Sequence, residues 1–263
     1  MIEKIVDTIV FGTGYVSFGY ASTHENTLII ERAELADKHF CGALKVGSDW
    51  NTEPKTKYCA ELKQLYEAYG LLDGEKADVA SMESVFCEFL KKQQLNVLLL
   101  TETVSVEKEN GLFVVTVYNN EGISKITAKK LIDTSSTETI IAKGLNLLTF
   151  HEAADFDIPV KKAFGDDAFV AEGKRETEKM VYVPVGLKES VLSLKLRITE
   201  NWRTHVSKTG ARISMIAPEF AYTDSTLSVK KEDNWHKIAE CNFKNGFEAF
   251  DFGAQFDFGG EQK

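Results

Sequence analysis

Residues 5–31 decide the fold, and they read IVDTIVF-GTG-YVSFGYAST-HEN-TLII-E. The first seven form a nearly continuous apolar run, which indicates a strand buried on both faces of a parallel sheet. A glycine turn follows, then a segment long enough for about two helical turns, a short polar turn and a second apolar run. Strand, glycine turn, helix and strand together predict a βαβ unit.

The glycine turn carries the residue types that bind the pyrophosphate of a dinucleotide. Gly12 allows a tight turn, Gly14 lets a phosphate approach the backbone, and the amides that begin the helix offer hydrogen bonds and partial positive charge. Glu31 lies 19 residues beyond Gly12, where an acid binds ribose hydroxyls. Ser17 stands in the place of a third glycine, and Gly19 also eases close packing there. A purely structural glycine turn is the alternative.

The rest of the chain divides into an α/β part and a part of different character. Apolar periodicity predicts helices over residues 57–69, 81–94, 189–206 and 242–256. It predicts strands over residues 96–106, 112–119, 123–128, 130–133, 169–171, 180–185 and 212–217, with a hairpin turn at 119–122 and a loop over 32–47. The second half therefore indicates an α+β layer set on the first half.

Composition excludes several classes of protein. The apolar fraction of 43% is too high for a disordered chain, and no apolar run is long enough for a membrane-spanning helix. The net charge of −9 argues against a generic nucleic-acid surface. The first residues lack a signal-peptide core. We therefore expect a cytoplasmic protein whose partner is a small molecule, without nucleic-acid or membrane binding; a homo-oligomer is compatible with the sequence.

The cysteines and histidines carry no metal-binding pattern. The four cysteines form no CxxC pair, and the five histidines are scattered. We expect reduced thiols and no metal site. The chain also has neither a GxSxG motif nor a GxxxxGK[ST] phosphate loop, so hydrolase and P-loop NTPase readings are weak.

A resemblance rests on the order of several short motifs along the chain. After the βαβ unit come CGA at 41–43, SMESVFCEFLKKQQLNVLLLTETV at 81–104, KLIDTSS at 130–136 and NFKNGFEAFDFG at 242–253. In this order they resemble FAD-dependent oxidoreductases of the glutathione-reductase-like FAD/NAD(P)-binding superfamily. The chain departs from that family in a short first helix, in Ser17, in Thr134-Ser135 for Thr-Gly and in Asn245-Gly246 for Asn-Pro.

The resemblance implies which residues contact FAD. The glycine turn would hold the pyrophosphate, and the acid after the second strand would bind the ribose. The backbone of a valine would contact the adenine, and the start of the last helix would face the flavin ring. The cofactor-binding residues implied in this way are Gly12, Thr13, Gly14, Tyr15, Val16, Ser17, Glu31, Arg32, Cys41, Gly42, Val104, Thr134, Ser135, Asn245, Gly246 and Phe247.

No catalytic residue is identified from the sequence, and two weak candidates stand near the implied flavin ring. Cys41 could take part in redox chemistry, and His39 could be an acid or base. A buried, inert thiol and a surface-loop histidine are the alternatives, since no base adjoins Cys41 in the sequence.

These observations predict an α/β fold: a Rossmann-like FAD/NAD(P)-binding domain with a parallel sheet, helices and a three-stranded β excursion, plus a small inserted α+β domain. The first domain would comprise residues 1–145 and 235–263, and the substrate-facing insertion residues 146–234. The expected function is an FAD-dependent oxidoreductase acting on a small organic substrate. The alternatives are a non-catalytic member of the same fold that lacks or weakly binds flavin, and an NAD-dependent dehydrogenase, for which Glu31 favours NAD over NADP.

Overall fold

The computed structural model describes residues 4–135, 139–151, 156–186 and 188–258. The strands in these ranges are β1 (Lys4–Phe11), β2 (Thr27–Ile30), β3 (Leu72–Asp73), β4 (Lys76–Ala77), β5 (Asn96–Leu98), β6 (Glu102–Glu109), β7 (Leu112–Asn119), β8 (Gly122–Asp133), β9 (Ile140–Phe150), β10 (Phe169–Glu172), β11 (Glu178–Pro184), β12 (Arg212–Ile216), β13 (Ala221–Asp224), β14 (Ser228–Glu232) and β15 (Trp235–Ile238). The helices are α1 (Tyr15–Thr23), α2 (Lys57–Ala68), α3 (Met82–Gln93), α4 (Asp157–Phe164), α5 (Val191–Asn201) and α6 (Gly246–Gln255).

The first sheet has a parallel centre in the order β15-β8-β1-β2-β5. Val6, Ile9 and Val10 of β1 are buried, as expected for a strand between two layers. The predicted βαβ unit is confirmed as β1, α1 and β2, and both α1 and β2 begin and end where the sequence predicts. One buried cluster lies on each face of this sheet.

An antiparallel excursion of β6, β7 and β8 extends the same sheet. The turn between β7 and β8 is the predicted hairpin, with Asn119 opposite Gly122. The two strands predicted over 123–133 are a single strand, because β8 pairs with β7 along its first half and with β1 along its second. The single strand predicted over 96–106 is instead divided into β5 and β6, and Leu100 between them has a φ of 52°.

The second sheet is antiparallel, with β10-β11-β9-β12 in order and β13 also paired with β9. Its apolar side chains pack with those of α4 and α5, among them Val160, Leu194 and Ile198. The central strand β9 was not predicted from the sequence. The predicted boundary at 145/146 lies within β9, while β14, inside the predicted insertion, joins the first sheet. The domain division remains a prediction.

Helices α1 and α6 cross at glycines on both sides. A Cβ atom on Gly19 would collide with the carbonyl oxygen of Phe250, and one on Gly253 would collide with that of Val16. The predicted helix over 242–256 begins only at Gly246, because Asn245 caps it by accepting a 2.9 Å hydrogen bond from the Glu248 amide. The helix backbones therefore meet without side chains between them.

Candidate functional site

Gly12 of the predicted glycine turn and the predicted acid Glu31 line one cavity at the carboxyl ends of β1 and β2. Its volume is about 300 Å³. Its lining residues are Phe11, Gly12, Ile30, Glu31, Arg32, Lys38, Thr101, Glu102, Thr103 and Ser135. The carboxyl ends of neighbouring parallel strands are where ligands bind in open α/β sheets. We call this space the first cavity.

The residues that follow β8 pack against the glycine turn. Gly12 has a φ of 93°, a conformation that favours glycine, and its amide donates to the Ile30 carbonyl at 2.9 Å. A Cβ atom on Gly12 would lie 2.7 Å from Thr134 Oγ1 and 2.8 Å from the Ser135 nitrogen. The Ser17 hydroxyl, in the place of a third glycine, donates to the Gly12 carbonyl at 2.7 Å. The structure thus brings together four of the predicted site residues.

Glu31 is a buried and fully engaged carboxylate. It accepts hydrogen bonds from the Thr13 amide at 3.1 Å, the Thr13 hydroxyl at 3.3 Å and the Ala33 amide at 2.8 Å. Lys38 Nζ lies 2.8 Å from Glu31 Oε1 and balances its charge. Only 2% of the residue is exposed, so the acid is fixed in position at the wall of the first cavity. Exposed Arg32 is its neighbour there.

A short helical turn, Lys38–Gly42, lies within the segment predicted as a loop. Asp37, which is fully buried, begins it and accepts from the amides of His39 at 3.1 Å, Phe40 at 3.1 Å and Cys41 at 2.7 Å. Burial raises the pKa of the Asp37 carboxyl to about 6, although these hydrogen bonds oppose the shift. The Asp37 side chain therefore caps this turn. Sequence periodicity does not reveal such a cap.

The two candidate catalytic residues lie on this turn. Burial lowers the pKa of His39 to about 4, and its Nε2 donates to the Thr134 carbonyl at 3.3 Å. Burial and, next, the charge of Asp37 raise the pKa of the Cys41 thiol well above its usual range. At neutral pH the structure therefore holds a neutral imidazole and a protonated thiol. A protonated thiol is a poor nucleophile.

Acidification should reveal the neutral state of His39. Its folded pKa of about 4 lies below the ordinary value of 6.5, so the unfolded chain binds the additional proton and stability falls as the pH falls through this window. Relative to His39→Asn, we expect the free energy of unfolding of the wild type to fall by about 2 kcal/mol from about pH 7 to about pH 4.

Urea titrations across this pH range measure the effect. His205→Asn, at an exposed histidine, is the control and should show no such trend. A difference between wild type and His39→Asn that stays constant with pH would contradict the assignment of a neutral imidazole in the folded protein.

The residues predicted near the flavin ring at the start of α6 do not line the first cavity. The Asn245 side chain donates to the carbonyls of Ser48 and Asp49, both at 3.0 Å. A Cβ atom on Gly246 would collide with the Tyr15 ring, and Phe247 is fully buried. These side chains hold the helix in place. Their role toward a cofactor remains a prediction.

Other predicted cofactor-binding residues lie in the core or at the surface beside the first cavity. Tyr15 and Val16 are fully buried in the core, and the Tyr15 hydroxyl is 2.7 Å from that of Tyr66. Val104 is 59% exposed on β6, one residue beyond the cavity wall. A Cβ atom on Gly42 would lie 2.9 Å from Leu35, so this glycine packs within the turn.

Two further cavities continue from the first toward the second sheet. A small one of about 110 Å³ shares Arg32, Lys38 and Ser135 with the first cavity, and it is also lined by His39 and Tyr222. A larger one of about 430 Å³ shares Tyr222 with the small one. The lining residues of the larger, which we call the second cavity, are Lys45, Val46, Gly47, Ala142, Asn146, Phe169, Ala171, Met180, Tyr182, Ala221, Tyr222 and Thr223.

One buried residue at the site was absent from the sequence prediction. Glu240 is fully buried, and its Oε1 accepts a 2.6 Å hydrogen bond from the Tyr15 amide, at the start of α1. Burial, and next the charge of Asp37, raise its pKa well above the ordinary value. Its sequence context, Ala-Glu-Cys, carries no motif that would have identified it.

Comparison with known proteins places the fold. No protein-family model and no curated protein sequence matches the chain. Among solved structures, p-nitrophenol 4-monooxygenase PnpA from Pseudomonas putida DLL-E4 matches with a TM-score of 0.56 and 12% identity, over 90% of this chain and 72% of that chain. OxyS anhydrotetracycline hydroxylase from Streptomyces rimosus matches with a TM-score of 0.58 and 11% identity, over 95% of this chain and 60% of that chain.

A third match is aklavinone-11 hydroxylase, solved in a ternary complex with FAD and aklavinone, with a TM-score of 0.57 and 8% identity. It covers 96% of this chain and 61% of that chain, so the chain spans only about three fifths of two of these three structures. Likeness at such low identity establishes the fold. The predicted Rossmann-like α/β fold is confirmed, and the membership of the FAD/NAD(P)-binding superfamily, with its glutathione-reductase-like branch, stays a prediction.

In the described ranges, no helix is both long and apolar enough to cross a membrane. Within the same ranges, no group of three or more His, Cys, Asp and Glu residues is arranged to hold a metal ion.

Proposed function

We propose that this chain binds FAD and acts as an FAD-dependent oxidoreductase on a small organic substrate. The observation that carries the proposal is the row of three cavities, in which each shares lining residues with the next. The row begins at the glycine turn and Glu31 and ends at aromatic residues of the second sheet. An extended dinucleotide with a ribose at one end and a flat ring at the other suits such a site.

The residues of the first cavity fit the adenosine end of FAD. Glu31 is held at the wall by Thr13, Ala33 and Lys38. A ribose hydroxyl would bind it by replacing one of these contacts, as the acid of a dinucleotide site does when it accepts from ribose. Arg32 lines both the first and the small cavity and supplies positive charge for a phosphate. The start of α1 is less well suited to bind the pyrophosphate of FAD, because the Glu240 carboxylate already lies there.

Bound FAD would supply the hydride or electron transfer, which protein side chains cannot perform. The protein would bind, orient and shield the cofactor. His39, as a neutral imidazole, would donate to the Thr134 carbonyl and so hold the end of β8 over Gly12. Catalytic roles for His39 and Cys41 stay predictions, and the protonated thiol makes Cys41 the weaker candidate.

The substrate class that we propose is a small aromatic compound. Phe169, Tyr182 and Tyr222 line the second cavity, and aromatic side chains suit flat ligands. Two of the similar structures carry names that specify aromatic substrates, p-nitrophenol and anhydrotetracycline. Those activities belong to those proteins, and for this chain they support only the choice of compounds to test.

A non-catalytic member of the same fold is the second candidate. The observation in its favour is the buried Glu240 carboxylate at the start of α1, where a dinucleotide phosphate would bind. An absorption spectrum of the freshly purified protein separates the two candidates. Visible flavin bands that are released on denaturation support the proposal. A colourless protein that gains no thermal stability with added FAD would refute it, and stabilisation by NAD alone would favour a dehydrogenase.

Arg32→Ala tests the placement of the cofactor. Because Arg32 is exposed, its loss should leave the unfolding temperature unchanged while FAD binding weakens about tenfold, as expected when one charged contact to a phosphate is removed. Fluorescence titration of FAD measures the affinity. Arg203→Ala, at an exposed arginine after α5, is the control. Equal affinity in wild type and Arg32→Ala would rule out this placement.

A further inference from the structure

The start of α1 is occupied by a carboxylate from a distant part of the chain. Glu240 and Tyr15, which the 2.6 Å hydrogen bond joins, are 225 residues apart in sequence. The Val16 amide faces the same carboxylate. The side chain lies directly against the backbone of Gly14, where a Cβ atom would collide with it. It therefore fills the space that the glycine leaves open.

Helix α1 supplies no acid of its own at this end. Its cap residue, Gly14, has no side chain, and its first turn contains no acid. A helix of nine residues presents free amides and partial positive charge at its start, so a negative group is favoured there. Glu240 meets that demand from outside the helix.

The carboxylate is held incompletely. Glu240 Oε2 is buried and has no hydrogen-bond partner among the described residues. Two charged groups face it from neighbouring elements: Asp37, which repels it, and Lys45, which attracts it. Lys45 Nζ donates to the carbonyls of Cys241 at 2.6 Å and Phe243 at 2.8 Å. An unpaired buried oxygen carries a cost of desolvation, and burial raises the pKa of Glu240, which disfavours its charged form. This carboxyl group is therefore a poor match for its site compared with a phosphate.

We propose that Glu240 is an internal substitute for a phosphate group: it occupies the anion position of the nucleotide site, and a phosphate-bearing nucleotide binds at α1 only by displacing it. The inference rests on the nucleotide site of the proposed function, and it is independent of redox activity. It predicts that Glu240 weakens the binding of nucleotides with phosphates and leaves the binding of a bare nucleoside unchanged.

The test compares ADP with adenosine by calorimetric titration. Glu240→Ala removes both the charge and the bulk, so its affinity for ADP should rise about tenfold while its affinity for adenosine stays within about twofold. Glu240→Gln keeps the bulk and cannot ionise. Because burial already raises the pKa of Glu240 and so reduces its charge, the gain of this variant for ADP should be smaller, about threefold. Glu232→Ala, an exposed acid on β14, makes the same change in net charge as Glu240→Ala and should match the wild type.

An unchanged or weaker affinity of Glu240→Ala for ADP would overturn the inference, because Glu240 would then be a spectator or a ligand of the nucleotide. If Glu240→Ala fails to fold, Glu240→Gln decides alone, and no gain for ADP overturns the inference. Thermal stabilisation by inorganic pyrophosphate, greater in Glu240→Ala than in wild type, supports it without any adenosine.

FAD binding separates this inference from the proposed function. Should every variant reject FAD while Glu240→Ala gains affinity for ADP, the flavin proposal fails and the substitute anion stands. Should wild type and Glu240→Ala bind both FAD and ADP equally well, the flavin proposal stands and the substitute anion fails.

Discussion

Gly253→Val is expected to destabilise the protein by about 3 kcal/mol or more, the largest effect among our predictions. The new side chain would collide with the carbonyl oxygen of Val16, which belongs to the backbone of α1 and has no rotamer by which to move aside. Helices α1 and α6 would have to separate, and the apolar contacts around Phe250 would be lost with them. Urea denaturation monitored by circular dichroism measures the loss.

Gly186→Val is the matched control, because nothing among the described residues lies within 4 Å of a Cβ atom there. Gly19→Val should be equally severe, since it meets the Phe250 carbonyl from the opposite side of the crossing. The double variant should lose less than the sum of the two, because both changes disrupt one contact. A Gly253→Val protein as stable as Gly186→Val would show that the helices do not meet closely at these glycines.

Asp37→Ala should cost about 3 kcal/mol, because three backbone amides would lose their acceptor in a buried place. Asp37→Asn keeps one carbonyl oxygen and should lose only about 1 kcal/mol. Free energies of unfolding from urea titrations at neutral pH give both values. The control is Asp73→Ala, at an exposed acid that ends the short strand β3. Near-equal stabilities of Asp37→Ala and Asp73→Ala would contradict the capping role.

The sequence predicted well those elements whose signals are local. The β1–α1–β2 unit emerged because an apolar run, two glycines and a second apolar run follow one another within 27 residues. The β7–β8 hairpin and helix α3 were predicted on similar grounds, from a turn signal and from apolar periodicity. Motif spacing suggested the grouping of Gly12, Ser17 and Glu31, and the family resemblance implied Ser135.

The features that escaped prediction depend on contacts between distant segments. Strand β8 is continuous because it pairs with β7 along its first half and with β1 along its second. No local sequence pattern indicates this change of partner. Glu240 reaches the site through tertiary packing alone. The same limit applies to Asn245 and Gly246. The sequence predicted a helix there but began it four residues early, and it could not say which groups the Asn245 side chain would meet.

The contact between α1 and α6 also governs the time at which the protein can complete its fold. A ribosome adds roughly 5–20 residues per second, so Tyr15 waits about 10 to 50 seconds after its own synthesis before Glu240 emerges. Until then the glycine face of α1 has no partner, and β8 lacks β15 along one edge. A nascent chain with an exposed apolar helix and an open strand edge is prone to aggregate. The tight crossing that stabilises the finished protein therefore makes its synthesis the period of greatest risk, when chaperones have the most to protect.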